Sequence, residues 1–160
     1  MKSSSKKLMM IAAAALLTVA AVILIKGVTG GKKLVLSDRE TGRIYARYAI
    51  NEDDVFSVSF IHSVNQSEVI DYYKCDKDGK ILCFANRFHS FGAGMPESWP
   101  EGAVVQTTDD GILVSNLNIV FDDMTYIVGT VSDHILNING RDISLRELCG
   151  KNSEVTFKIK

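Results

Sequence analysis

The 160 residues are 46% hydrophobic and 23% charged, ordinary values for one globular domain plus an appendage. The first 26 residues hold four lysines and no acid, so the remainder carries 14 Lys+Arg against 19 Asp+Glu, a net charge of −5. A net-acidic domain without a basic run is excluded as a nucleic-acid binder, which needs clustered Lys and Arg.

The first element is apolar. Leu8 to Ile25, "LMMIAAAALLTVAAVILI", is an 18-residue run interrupted only by Thr18. As a helix it spans about 27 Å, close to the hydrocarbon thickness of a bilayer. A cleaved signal peptide has a shorter apolar run of roughly 7–15 residues and a small-residue exit, for which "GVTGG" is a poor match. The flanking lysines (Lys2, Lys6 and Lys7 before, Lys26, Lys32 and Lys33 after) balance, so orientation rests on position at the N-terminus, which is read as export. The expectation is a cytoplasmic tail over residues 1–7, a transmembrane signal anchor over 8–26 and a linker over 27–32. An extracytoplasmic all-β domain over 33–160 follows.

From Lys33 onward the pattern is of strands. "KLVLS", "RIYARYAI", "VFSVSFIHSV", "EVIDYYKC" and "ILCFANRFHSF" are rich in β-branched and aromatic residues and are parted by turn sequences. "AVVQTT", "ILVSNLNIVF", "MTYIVGTV", "HILNI", "RDISL" and "SEVTFKIK" continue the series. Asn139-Gly140 is its strongest hairpin signal, because a type I′ turn needs φ > 0 at both positions. The only helical hint is "LRELCG". About 8–10 short antiparallel strands predict an all-β sandwich or a small barrel. "PESWPEG" is a loop whose Trp99 packs over a sheet end or walls a pocket. Cys75 and Cys83 flank the turn "DKDGKIL". Directly opposed they meet the Cα spacing of a disulfide, about 4.4–6.8 Å, and otherwise they remain buried thiols.

Alternation places side chains on faces, because the side-chain period of a strand is two. Phe56, Val58, Phe60, His62 and Val64 fall on one face of the third run. Leu82, Phe84, Asn86, Phe88 and Ser90 share one face of the fifth, with Cys83, Ala85, Arg87, His89 and Phe91 on the other. The fifth run ends in "RFHSFGAGMP", where Gly92 and Gly94 permit a backbone corner that exposes N–H groups to an anion. An arginine beside such a corner suits a carboxylate or phosphate, while a tight turn needing φ > 0 is the competing explanation. In "VSDHIL", Asp133 and His134 point to opposite faces unless they sit at a strand start.

Familiar chemistries are weakly supported. A hydrolase drawing on Ser63 or Ser90, His62 or His134, and Asp71 or Asp133 lacks a G-x-S-x-G elbow. His62, His89 and His134 have no zinc-ligand spacing. "DKDGK" is too short for a calcium loop. No metal and no cofactor are expected.

"FIHSVNQSEVIDYY", "DGKILCFANRFHSFGAGMP", "DDGILVSNLN" and "IVGTVSDHILNINGRDISLRELCG" together resemble domain-of-unknown-function family 1850 over about residues 33–159. Members of that family are short, carry an N-terminal signal or anchor, and are often encoded beside tripartite TRAP-type transporters of the TAXI class. The family pattern falls on His62, Ser63, Asp71, Arg87, Ser90, Phe91, Gly92, Gly94, Pro96, Asp133 and His134. This chain departs from it with Glu68 in place of a proline and with His89 where another residue, often arginine, stands. The resemblance implies export but names no chemistry. The leading expectation is therefore a membrane-anchored, non-enzymatic accessory or solute-sensing domain beside a TRAP-type permease subunit, binding a small anionic solute. Its ligand-binding residues would be His62, Ser63, Asp71, Arg87, Ser90, Gly92, Gly94, Asp133 and His134. The alternatives are a hydrolase using a His and a carboxylate, and a purely structural permease partner.

Overall fold

The computed structural model describes residues 31–91 and 98–160. The expected anchor over 8–26 lies outside the described residues, as do Gly92, Gly94 and Pro96. Among the described residues no helix is long and apolar enough to cross a membrane.

Lys32–Lys160 is one compact unit of two antiparallel sheets, so the architecture is a sandwich and not a closed barrel. Its strands are β1 (Lys33–Asp38), β2 (Ile44–Ala49), β3 (Val55–Ile61), β4 (Glu68–Cys75), β5 (Ile81–Phe88) and β6 (Val104–Thr108). β7 (Gly111–Phe121), β8 (Met124–Ile127), β9 (His134–Ile138), β10 (Arg141–Ser144) and β11 (Glu154–Ile159) complete the set. One short helix, α1 (Leu145–Cys149), follows β10. The eleven strands exceed the expected 8–10, and the four-residue β8 and β10 pair with β11 and β9.

The smaller sheet has the order β2-β1-β11-β8 and the larger β10-β9-β3-β4-β5-β7-β6. Alternating apolar residues meet between them. Leu34 and Leu36 of β1 and Phe157 of β11 join Phe56, Val58, Leu136 and Ile138 of the larger sheet in one buried core. The β9–β10 turn is Asn139-Gly140, with φ of 53° and 70°, the positive pair that a type I′ hairpin demands. Ser144 caps α1 by accepting from the Glu147 N–H.

A bulge in β5 alters the expected faces. Tyr72 pairs with Ala85 but Tyr73 pairs with Cys83, and the ladder to β7 shifts at the same place. One extra residue reverses the alternation beyond it. Cys83 therefore faces the core together with Asn86 and Phe88, and Arg87 turns to the outer face, where the uninterrupted count had put it beside Cys83. The register also separates the cysteines: Cys75 stands opposite Ile81 and Cys83 opposite Tyr73. Both are free buried thiols, because residues offset by two along a ladder are not directly opposed.

The sandwich has two distinct poles. The chain enters at Lys32, whose Nζ donates to the carbonyls of Asp76 and Lys77 in the β4–β5 turn. Lys33 and Lys160 exchange both backbone hydrogen bonds at that pole. The opposite pole carries the 62–67 turn, the end of β5, the 128–133 loop and α1. Ser132 Oγ accepts from the Ile61 N–H and so ties two of these segments together.

Candidate functional site

The inward row of β4 reads Val69, Asp71, Tyr73, Cys75, an apolar series with one carboxylate in it. The register sets Asp71 directly against Asn86 of β5, whose Nδ2 donates to Asp71 Oδ1 at 2.6 Å. From the smaller sheet, Tyr126 of β8 donates its hydroxyl to Asp71 Oδ2 at 2.6 Å. The Tyr73 hydroxyl lies 2.6 Å from that of Tyr126. Since Tyr126 spends its proton on Asp71, Tyr73 is the donor between the two phenols, and the chain runs Tyr73 to Tyr126 to Asp71. β8 is the edge strand of the smaller sheet. The cluster thus lies beneath an edge strand, and Asp71, Asn86 and Tyr126 stay half-buried although they face into the sandwich.

Burial raises the pKa of Asp71, and the hydrogen bonds from Tyr126, Asn86 and Tyr73 only partly offset it. No cation acts on it. Burial likewise raises both phenols, and it pushes the Cys83 thiol up to about 12, reinforced by the Asp71 charge.

His134 borders the cluster. Its ring stacks on Phe60 at 4.9 Å and tilts against Tyr126 at 5.6 Å. Its Nδ1 accepts from the Gly129 N–H at 3.2 Å, which fixes the ring as the neutral tautomer protonated on Nε2. Burial lowers its pKa, with Asp133 and Arg146 acting in opposite directions. The consequence has a definite sign. A folded-state pKa below the unfolded 6.5 means that protons bind the unfolded chain first, so stability is lost as pH falls through 6.5 toward the folded value. Thermal melts at pH 7.5 and 5.5 should show wild type losing more stability than His134→Gln. Equal losses would remove His134 as the cause.

The remaining expected site residues disperse. Asp133, just before β9, accepts from the His134 N–H at 2.7 Å, from the Arg146 N–H at 3.0 Å and from the Ser144 hydroxyl. Burial raises its pKa, but these hydrogen bonds outweigh it and hold the carboxyl below its usual range. Asp133 therefore fastens the 128–133 loop to α1. His62 stands outside β3, and its Nδ1 accepts from Val64 and Asn65 N–H groups of its own turn at 3.3 and 3.4 Å. Ser63 and Ser90 are exposed. Arg87, opposite Ile70 and Leu113 on the outer face, lies between Glu68 at 3.3 Å and Asp110 at 3.5 Å. It lines a groove of about 520 Å³ with Tyr72, Phe84 and Leu113, on the far side of the sheet from Asp71. Trp99 stacks on Phe88 at 5.9 Å, and Phe91 meets the same ring edge-on at 5.4 Å.

Of the expected residues, then, Asp71 and His134 come together, and Tyr73, Asn86 and Tyr126 join them. The legible signal for the added three was a carboxylate in an apolar strand row, which requires donors from neighbouring strands. Among the described residues no set of three His, Cys, Asp or Glu side chains is placed to hold a metal ion.

No curated protein and no solved structure gives a significant match to this chain. The family model described as "Domain of unknown function (DUF1850)" matches residues 56–145, from β3 to the start of α1, a span that contains all five cluster residues. This covers more than half of the 160 residues, and the chain belongs to the DUF1850 family.

Proposed function

We propose that this chain is a membrane-anchored, extracytoplasmic accessory domain that senses a solute for a TRAP-type permease and carries out no covalent chemistry of its own. The observation that carries this reading is the Asp71 cluster. It is a half-buried carboxylate held by Tyr126 and Asn86 beneath the edge strand β8, within the family-matched span. Its groups are arranged to hold and not to react. The Tyr126 proton is committed to Asp71, and His134 Nδ1 is occupied by a backbone N–H. The Cys83 thiol is pushed far above neutrality. The anchor is supported by the 18-residue apolar run, and the permease by the family resemblance.

The test is uptake. In cells carrying a TRAP-type permease, deleting this chain should lower solute uptake several-fold. Wild type should restore it, whereas Asp71→Asn, present at equal level, should not. Unchanged uptake on deletion would refute the accessory role.

A further inference from the structure

Four strands form the sheet edges: β2 and β8 in the smaller sheet, β10 and β6 in the larger. An edge strand presents unpaired backbone N–H and C=O groups, which proteins normally blunt with charge, shortness or a bulge. β10 is four residues long and opens with Arg141 and Asp142. β2 carries Arg47, and its ladder to β1 shifts register between Leu36 and Ser37. β8 has only four residues. β6, "VVQTT", lacks all of these devices. Its five residues are uncharged and exposed, and its ladder to β7 runs without a shift. Four of the five are β-branched, which suits a further extended neighbour.

The register fixes which backbone groups β6 offers. The two-residue turn Asp109-Asp110 closes on Thr108 and Gly111, a pair that exchanges both backbone hydrogen bonds. Bonded pairs alternate along an antiparallel ladder, so Gln106 with Leu113 and Val104 with Ser115 bond in the same way. The N–H and C=O groups of Val105 and Thr107 therefore point away from β7, where no described strand pairs with them. An extended chain laid along β6 meets two donors and two acceptors at strand spacing.

Charge selects the occupant. Glu101 precedes β6, Asp109 and Asp110 follow it, and all three are exposed. Arg87 reaches Asp110 at 3.5 Å but is shared with Glu68. A second copy could pair all five residues about a two-fold axis at Gln106, setting Val105 against Thr107 of the other copy. That arrangement drives the Asp109-Asp110 turn of each copy toward Glu101 of the other, and opposed like charges are destabilising. A strand with basic flanks meets the same acids as counter-charges.

We infer that the outer edge of β6 takes an extended segment of a partner protein, which joins the seven-stranded sheet as an added strand. The segment is uncharged at its centre and rich in lysine or arginine at both flanks. This docking does not depend on the solute-sensing reading.

The full chain in non-ionic detergent is titrated with an acetylated, amidated peptide of alternating threonine and valine flanked by paired lysines. The same peptide flanked by glutamates is the comparison. At low salt the lysine peptide should bind about tenfold more tightly, and added salt should narrow the gap. Amide exchange followed by NMR should slow at Val105 and Thr107 on binding and stay unchanged at Gln106, whose N–H already bonds to β7. Thr107→Pro removes an outward donor and no rung to β7, so it should weaken the lysine peptide about tenfold. Should that variant fail to fold, the paired change Asp109→Asn and Asp110→Asn should cut the preference for lysine several-fold. Equal binding of the two peptides would overturn the basic class of partner. Unslowed exchange at Val105 and Thr107 under saturating peptide would overturn the site itself. Exchange at those amides that slows with protein concentration alone would assign the edge to a second copy and overturn the partner strand.

Discussion

Replacing Tyr126 by alanine should cost about 3–5 kcal/mol of folding stability, the range for deleting a large aromatic ring from a packed site. The ring meets Phe157 edge-on at 5.7 Å and His134 at 5.6 Å, and its hydroxyl links Tyr73 to Asp71. Tyr126→Phe separates the two contributions. It keeps the ring and leaves Asp71 short of one donor and Tyr73 short of its acceptor, at about 1–3 kcal/mol. The hydroxyl's share carries a pH signature. Asp71 titrates above its ordinary value when folded, so its favourable term is fully present below the unfolded pKa of 3.8 and is lost as pH rises through the folded pKa. Without the Tyr126 O–H that folded pKa climbs further, and the loss extends to higher pH. Urea unfolding of both variants at pH 5 and pH 8 reads the outcome. A Tyr126→Ala cost below about 1 kcal/mol would mean that β8 is not docked over the cluster.

Phe88→Ala should be comparably severe, about 3–5 kcal/mol, and it should report on the end of β5 directly. Phe88 is 1% exposed, with Phe91 and Trp99 packed on its ring. Trp99 is the only tryptophan of the chain, so its emission is an unambiguous probe. In the folded variant the emission should shift to the red and become more open to acrylamide, because the stacking partner is gone. Phe88→Leu should retain most of the stability and part of the shift. An unshifted Trp99 spectrum in Phe88→Ala would show that other residues hold the indole.

The strands themselves were readable because their runs are short, β-rich and separated by turn chemistry. Each of the eleven apolar runs from "KLVLS" to "SEVTFKIK" contains one strand, and "LRELC" is the helix. The fault lay at one residue. Alternation through Cys83, Ala85 and Arg87 assumes an unbroken pleat, and the bulge near Phe84 breaks it. A bulge is settled by two neighbouring ladders at once, which a count along one strand does not contain. The same limit hid Asn86 as the partner of Asp71. Tyr126 was hidden differently, since nothing local announces that a four-residue edge strand will lie across β4 from the other sheet. His62 looked like a continuation of the apolar row of β3, but its carbonyl accepts from Gln66 N–H and its ring from the next residues, so a turn claims it.

The pairing of Lys33 with Lys160 gives the domain a mechanical asymmetry. The start of β1 and the end of β11 lie side by side, and the two strands run antiparallel from that point. Tension applied between the two ends would open the ladder like a zip, one rung at a time and against little resistance. Tension applied between Lys32 and the 62–67 or 128–133 loops would pull along the strands and strain many rungs together. The domain is therefore stiffer when loaded along its strands than when its two paired strand ends are drawn apart.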